Sequence, residues 1–145
     1  MKIVVVEDDP HHAVQIEQWL TEALEHASVN IVRTEHEFRA NLDALVRERP
    51  DLFIIDVMLR WTHPAPDMPP RPPEVASEGF YKAGFRCAEL LTARSPAVPI
   101  IIYTVLDEAD IALWIKRLPP TATYVRKELT AELLLERVRQ VTSGK

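Results

Sequence analysis

A chain of 145 residues has the length of one domain, and roughly 68–70% of the surface of its unfolded chain can be buried on folding. A net charge of −5 argues against a protein held to DNA by a basic surface, because phosphate neutralisation requires a clustered excess of Lys and Arg. No apolar run approaches the roughly 18 residues of a membrane span, so we expect a cytoplasmic protein without direct DNA or membrane binding.

Five apolar segments predict β-strands. The first, KIVVV at residues 2–6, is rich in β-branched residues and typical of a strand buried on both faces of a parallel sheet. The others are VNIVRT, DLFIIDV, PIIIYT and ATYVR. Segments with helical spacing separate them; the first carries apolar residues at Val14, Ile16, Leu20, Ala23 and Leu24.

Alternating strands and helices predict an α/β fold. Right-handed crossovers would build a doubly wound five-stranded parallel sheet, flavodoxin-like with strand order 2-1-3-4-5 and helices on both faces. A mixed α+β fold is the alternative. Local signals for helix starts are Pro10 in a first turn, a capping box of Thr34 with Glu37, and Thr130 as the cap of the last helix.

A proline-rich stretch at residues 60–80 interrupts this alternation and holds six of the chain's 12 prolines. We expect a single domain over residues 1–145 with this stretch as an inserted loop, after which a helix resumes over residues 79–94 and is entered near Gly84. The insertion is either a passive, disordered spacer or a docking segment that uses its prolines and Trp61 to engage a partner.

Acidic residues follow two of the predicted strands. Glu7, Asp8 and Asp9 come directly after the first strand, and Asp56 lies near the end of the third. These strand ends flank the point where the strand order reverses, so the acids converge. Because like charges repel, a cation is expected among them, and carboxylate oxygens suit Mg²⁺. The alternative is a solvated acidic loop, and for Asp9 we favour helix capping over metal binding.

Two further strand ends carry groups that suit a phosphoryl ligand. The fourth strand ends in Thr104, a hydroxyl donor, and the fifth runs into Lys127, a mobile point charge. A divalent cation, a carboxylate, a hydroxyl and an ammonium at one edge of the sheet are the parts needed to bind a phosphoryl group.

The sequence resembles the receiver domain of two-component response regulators over essentially the whole chain apart from the insertion. The resemblance is carried by EDD after KIVVV, Asp56 of LFIID, Thr104 of IIIYT, and the spacing of Tyr124 and Lys127 in YVRK. It implies that Asp56 accepts a phosphoryl group from a phosphohistidine in a Mg²⁺-dependent reaction.

The resemblance also implies roles for the neighbouring residues. Glu7, Asp8 and Asp56 would hold Mg²⁺ together with the backbone carbonyl of Met58. Thr104 and Lys127 would contact the phosphoryl oxygens. On activation Thr104 would move inward and Tyr124 would change rotamer, biasing a two-state protein-interaction surface.

The implied partners are a sensor histidine kinase or a histidine phosphotransfer protein, and an unidentified downstream target protein. A homodimer is left open. Such a domain catalyses only its own phosphorylation and dephosphorylation, so it is not a turnover enzyme. The last predicted helix ends close to residue 145, and we expect a stand-alone receiver without an output module.

Four positions depart from the receiver pattern. Glu128 stands where receivers usually have a cis proline, so we expect a trans bond and a less certain aim for Lys127. Val105 stands in place of Ala or Gly and would narrow access to Asp56. Leu59 and Arg60 replace the usual Met-Pro.

Val105 and Glu128 are the evidence for a rival function, a phosphorylation-independent pseudo-receiver that acts as a protein-protein interaction module. A metal-dependent phosphatase is a weaker rival, because Met58 occupies the place of its second acid. A flavodoxin-like cofactor binder and a transition-metal site at His11 and His12 are weaker still. Cys87, the only cysteine, excludes an internal disulfide and is expected in the core.

Overall fold

Five parallel β-strands form one sheet in the computed structural model, which describes residues 1–143. The strands are β1 (Lys2–Val6), β2 (Ser28–Val32), β3 (Leu52–Ile55), β4 (Ile100–Thr104) and β5 (Ala122–Arg126). Their order is β2-β1-β3-β4-β5, and every neighbouring pair is parallel. The predicted α/β class and strand order are therefore confirmed.

Helices cover both faces of this sheet. They are α1 (Pro10–Ala23), α2 (Glu35–Arg47), α3 (Pro73–Glu78), α4 (Ala83–Arg94), α5 (Glu108–Ile115) and α6 (Glu132–Thr142), and a 3₁₀ turn spans Phe80–Lys82. Alternate strand residues point into two cores: α1 and α6 pack on one face, and α2, α4 and α5 on the other. In residues 1–143, none of the helices has the length and apolar character needed to cross a membrane.

The central strands are buried because their residues pack in both directions. In β1, Val4 and Val6 enter the core under α2 and α4, while Ile3 and Val5 enter the core under α1 and α6. Burying an Ile or Val side chain contributes about 1.5–3 kcal/mol, which fixes these strands at the centre of the sheet. The edge strands β2 and β5 are more exposed.

Helix starts agree with the sequence at two of three places. Asp9 caps α1 by accepting the backbone N–H groups of His11 and His12, and Pro10 occupies the first turn. Thr34 caps α2 by accepting the N–H of Glu37 at 3.1 Å. The prediction for Thr130 is wrong: α6 begins at Glu132 after Ala131, and no side-chain hydrogen bond caps it.

The insertion packs against the rest of the chain, which contradicts the hypothesis of a disordered spacer. It contains α3, and it buries Trp61 (7% exposed) and Val75 (3% exposed) against the rest of the chain. The indole N–H of Trp61 donates to the carbonyl of Pro69, and its ring meets that of His36 edge-on. Trp61 therefore anchors the insertion internally and is not displayed for a partner.

Charged side chains fasten the insertion to the helices beside it. Glu35 of α2 is fully buried and receives two hydrogen bonds, at 2.6 and 2.8 Å, from the guanidinium of Arg86 in α4. Arg86 also reaches Glu78 of α3, and Arg39 of α2 bridges Glu35 and Glu74. This network joins α2, α3 and α4 beneath the proline-rich segment.

One further prediction concerns the core. Cys87 is buried and unpaired, as expected, and burial raises the pKa of its thiol. Trp114 of α5 is half-buried: its ring stacks on Phe85, and the Lys82 ammonium lies 3.7 Å from its centroid. The exposed apolar residue of α5 is its neighbour Leu113.

Candidate functional site

A cavity of about 460 Å³ opens at the carboxyl edge of the sheet, where β1 and β3 end side by side. The strand register pairs Val6 with Ile55, so the residues that follow each strand meet at the same level. Among the predicted site residues, those that line the cavity are Glu7, Asp8, Asp56, Met58 and Lys127. The fold thus brings together side chains that lie up to 120 positions apart in sequence.

Three carboxylates in this cavity can share one ion. Glu7, Asp8 and Asp56 each offer an oxygen atom, and these atoms lie within 4.8 Å of one another. Glu7 and Asp56 are buried, whereas Asp8 is half-buried at the cavity wall. Carboxylate oxygens at this spacing fit a hard divalent cation such as Mg²⁺, which needs only one or two carboxylates besides water.

Glu7 is the most perturbed of the three acids. Burial raises the pKa of Glu7 from its ordinary value of 4.5 to about 8, and repulsion from Asp56 acts in the same direction while Lys127 opposes it. This cost of burying negative charge is the physical reason for expecting a cation here.

Lys127 supplies positive charge to the cavity from the end of β5. Its backbone N–H donates to the carbonyl of Thr104 at 2.8 Å, which fixes the segment beside β4. Its ammonium donates to Asp56 Oδ2 at 2.9 Å and also to Glu7. Burial acts to lower the pKa of Lys127, but the attraction of Asp56 and Glu7 outweighs it, so the pKa is raised.

The backbone on each side of Asp56 is held tightly. Its N–H donates to the carbonyl of Val6 at 3.0 Å, and its Oδ1 accepts the N–H of Val57 at 2.7 Å. Gly84 of α4 packs against the same peptide: a Cβ placed on it would lie 2.0 Å from the Asp56 carbonyl oxygen. The chain therefore needs glycine where α4 passes the end of β3. The predicted helix entry near Gly84 is confirmed, since α4 begins at Ala83, but residues 80–82 form a 3₁₀ turn and are not part of the helix predicted over residues 79–94.

The structure places Thr104 and Tyr124 away from the cavity surface. Thr104 is fully buried, and it is not among the residues described here that line the cavity. Its hydroxyl accepts the N–H of Leu106 at 3.4 Å, and the carbonyl of Leu106 accepts the hydroxyl of Tyr124 at 2.5 Å. One peptide segment thus links the two residues that the resemblance designates as a switch.

Two of the departures from the receiver pattern are visible at the site. Val105 lines the cavity and is 49% exposed, so its side chain stands at the entrance to Asp56. Residues 1–143 contain no cis peptide bond, in agreement with the trans bond expected before Glu128.

Solved structures of other proteins share this arrangement of strands and helices. The N-terminal domain of a response regulator/sensory box/GGDEF 3-domain protein from Carboxydothermus hydrogenoformans gives a TM-score of 0.70, at 22% identity over 99% of this chain and 94% of that chain. The BeF3-activated N-terminal receiver domain of RstA from Klebsiella pneumoniae gives 0.69, at 24% identity over 98% of each chain. The chain has the receiver-domain fold.

The likeness to receiver domains is one of fold, because the sequence identities are low. NtrX from Brucella abortus, solved in complex with ADP, gives a TM-score of 0.70 at 14% identity. That match covers 99% of this chain but only 27% of NtrX, so it concerns one part of a longer protein. No protein-family model and no curated protein sequence matches the chain.

Three residues at the receiver-like cavity were not predicted: His12, Arg60 and Phe80. His12 Nδ1 lies 3.2 Å from the Lys127 ammonium, whereas the neighbouring His11 is exposed, so the two histidines do not form one site. Arg60 and Phe80 come from the two ends of the insertion. The position of Arg60 in the cavity could have been predicted, because it is a cation only four positions after Asp56. Nothing in the sequence near Phe80 indicates that it lines the cavity.

Proposed function

We propose that this chain is a receiver domain that accepts a phosphoryl group on Asp56 from a sensor histidine kinase or a histidine phosphotransfer protein in the cytoplasm. The observation that carries the proposal is the position of the Asp56 carboxylate in an open cavity between the Lys127 ammonium and the acids Glu7 and Asp8. A carboxylate that could act as the nucleophile, a lysine ammonium and acids that could hold a divalent cation lie together there.

The proposed reaction is an in-line displacement at phosphorus. A carboxylate oxygen of Asp56 forms a bond to the phosphorus atom while the bond from phosphorus to the donor imidazole breaks. Lys127, already bonded to Asp56 Oδ2, neutralises charge on the transferring oxygens. Since the phosphorylated residue is the protein's own, the domain is its own substrate and does not turn over like an enzyme.

Glu7, Asp8 and Asp56 would hold the Mg²⁺, with the backbone carbonyl of Met58 as a further oxygen ligand. When bound, the ion would neutralise the acids and the incoming phosphoryl oxygens, which are otherwise mutually repulsive. The fit rests on the three carboxylate oxygens within 4.8 Å and on the raised pKa of Glu7.

The proposed switch runs through Leu106. If Thr104 turns towards a phosphoryl group on Asp56, its hydroxyl leaves the N–H of Leu106, whose carbonyl holds Tyr124. Release of Tyr124 would change the surface formed by α5, β5 and α6. That surface is where a downstream target protein or a second copy would sense phosphorylation.

Intact-mass spectrometry after incubation with acetyl phosphate tests the proposal. We expect one added phosphoryl group that requires Mg²⁺, is absent from Asp56→Asn, and is retained by the matched control Asp67→Asn. Asp67 is an exposed acid of the insertion, so its variant makes the same chemical change away from the cavity. An adduct that survives Asp56→Asn would refute the assigned acceptor.

A second candidate function is the phosphorylation-independent pseudo-receiver. The observation that favours it is Val105, which stands half-exposed at the entrance to Asp56. Absence of an adduct in wild type, combined with no fluoroberyllate binding in the presence of Mg²⁺, would select this alternative. A Val105→Ala variant that regains the adduct would assign the loss to this side chain.

A further inference from the structure

The first residue of the insertion, Arg60, contacts one of the three cavity acids. Its backbone N–H donates to Asp8 Oδ2 at 3.1 Å, and its guanidinium Nε lies 3.8 Å from the same oxygen. The side chain is 59% exposed and lines the cavity. Asp8, one of the three acids that could hold a divalent cation, therefore already has the Arg60 guanidinium as a positively charged neighbour.

The backbone of Arg60 is fixed independently of its side chain. Its carbonyl accepts the N–H of Glu35 at 2.9 Å, and the carbonyl of Trp61 accepts the N–H of His36 at 2.9 Å. Both bonds attach the start of the insertion to the first turn of α2, and burial of Trp61 adds to them. The backbone at the start of the insertion is thus fixed on α2, and it places the Arg60 guanidinium next to Asp8.

The cavity acids divide between two cations of the chain. Lys127 bonds to Glu7 and Asp56, while Arg60 contacts Asp8. The Lys127 side chain is only 9% exposed and belongs to the proposed acceptor chemistry. The Arg60 side chain is exposed, and its contact to Asp8 is long. The guanidinium can therefore move away from Asp8 without breaking the backbone hydrogen bonds of Arg60.

We propose that Arg60 is a resident counter-ion of Asp8 that competes with the divalent cation and so sets the Mg²⁺ concentration at which the site loads. The inference rests on the proposed function, since it concerns the same metal site. Repulsion between a guanidinium and a divalent ion that share one carboxylate weakens metal binding, and removing the guanidinium strengthens it. Arg60 stands where the receiver pattern usually has the proline of Met-Pro.

Isothermal titration with Mg²⁺ alone, in the absence of any phosphodonor, measures the effect directly. We expect Arg60→Gln to lower the dissociation constant about three- to tenfold, the scale of Coulombic repulsion at a few ångströms in a largely aqueous site. Arg60→Lys keeps the charge and should stay within about twofold of wild type. The difference between wild type and Arg60→Gln should shrink at high ionic strength, which a packing role would not produce.

Arg47→Gln is the matched control, because it removes the same charge from an exposed position at the far end of α2. Equal Mg²⁺ affinity in wild type and Arg60→Gln would overturn the inference, as would an equal gain in Arg47→Gln. If wild type takes up a Mg²⁺-dependent phosphoryl group while Arg60→Gln leaves metal affinity unchanged, the inference alone fails. If neither wild type nor Arg60→Gln binds Mg²⁺, the inference and the proposed Mg²⁺ site fail together.

Discussion

Gly84 is the residue at which packing and the acceptor site can be perturbed together by one methyl group. In Gly84→Ala the added Cβ would lie 2.0 Å from the Asp56 carbonyl oxygen and 2.7 Å from Val57 Cα, whereas ordinary van der Waals contact begins at 3.4 Å. A third close atom is the Asp56 carbonyl carbon at 2.8 Å, and because all three belong to the backbone, no side chain can rotate away. Either α4 or the peptide after β3 must move.

The cost follows from three opposing contributions. Overpacking costs about 1–3 kcal/mol, and stretching the bond from the Gly84 N–H to the Val57 carbonyl, now 2.8 Å, adds about 1 kcal/mol. The higher helix propensity of alanine returns about 1 kcal/mol. We expect a net loss of about 2 kcal/mol, equivalent to a melting temperature about 4–8 °C lower in a chain of this size.

Thermal and urea unfolding, followed by circular dichroism, measure this loss. Gly79→Ala is the comparison, because Gly79 has φ of +79° but no atom within 4 Å of the added Cβ. It should also destabilise the fold, by about 1–3 kcal/mol of backbone strain, yet leave the Asp56 peptide undisturbed. Gly84→Ala should therefore lose phosphoryl uptake at temperatures where it is still folded, and Gly79→Ala should not. Wild-type stability in Gly84→Ala would refute the packing argument.

Three further changes test other contacts. Arg86→Met should lower the free energy of unfolding in urea by about 3 kcal/mol, because the buried Glu35 carboxylate loses both hydrogen bonds from Arg86. Adding Glu35→Leu should recover most of this free energy, because the buried charge is then removed as well. Tyr124→Phe should cost about 1 kcal/mol by removing the hydrogen bond to Leu106, with phosphoryl uptake retained. Burial raises the pKa of Glu7 from 4.5 to about 8, so the folded state favours the protonated carboxyl. In EDTA, the free energy of unfolding should therefore be highest below pH 4.5 and should fall as the pH rises through 8. Glu7→Gln should flatten this dependence of the unfolding free energy on pH.

The sheet could be predicted from sequence because its signals are local and repeated. β1 is a run of β-branched residues buried on both faces, and β5 coincides with the predicted ATYVR. Thr130 failed because a residue suited to capping does so only if the helix begins beside it, and α6 begins at Glu132. Packing against the core decides where α6 begins, and the residues around Thr130 do not reveal this packing.

The acids of the candidate site followed from topology, since residues after β1 and β3 must meet once the strand order is known. The contacts of the insertion did not follow, because they join distant residues without periodicity. Trp61 looked like an exposed anchor in a proline-rich segment, yet it is buried against His36. The Glu35–Arg86 pair spans 51 positions, and nothing near either residue indicates its partner.

Both ends of the insertion line the cavity, so the insertion is part of the candidate site. Arg60 at its start and Phe80 at its finish both line the cavity, and the N–H of Leu59 donates to the carbonyl of Phe80 at 3.2 Å. Next to its start, Trp61 is buried against His36 of α2, and nearer its finish Glu74 and Glu78 pair with Arg39 of α2 and Arg86 of α4. The insertion is therefore held to these helices near both of its ends and forms one wall of the site. Metal and phosphoryl binding should therefore respond to changes in it more than to changes in a detached loop.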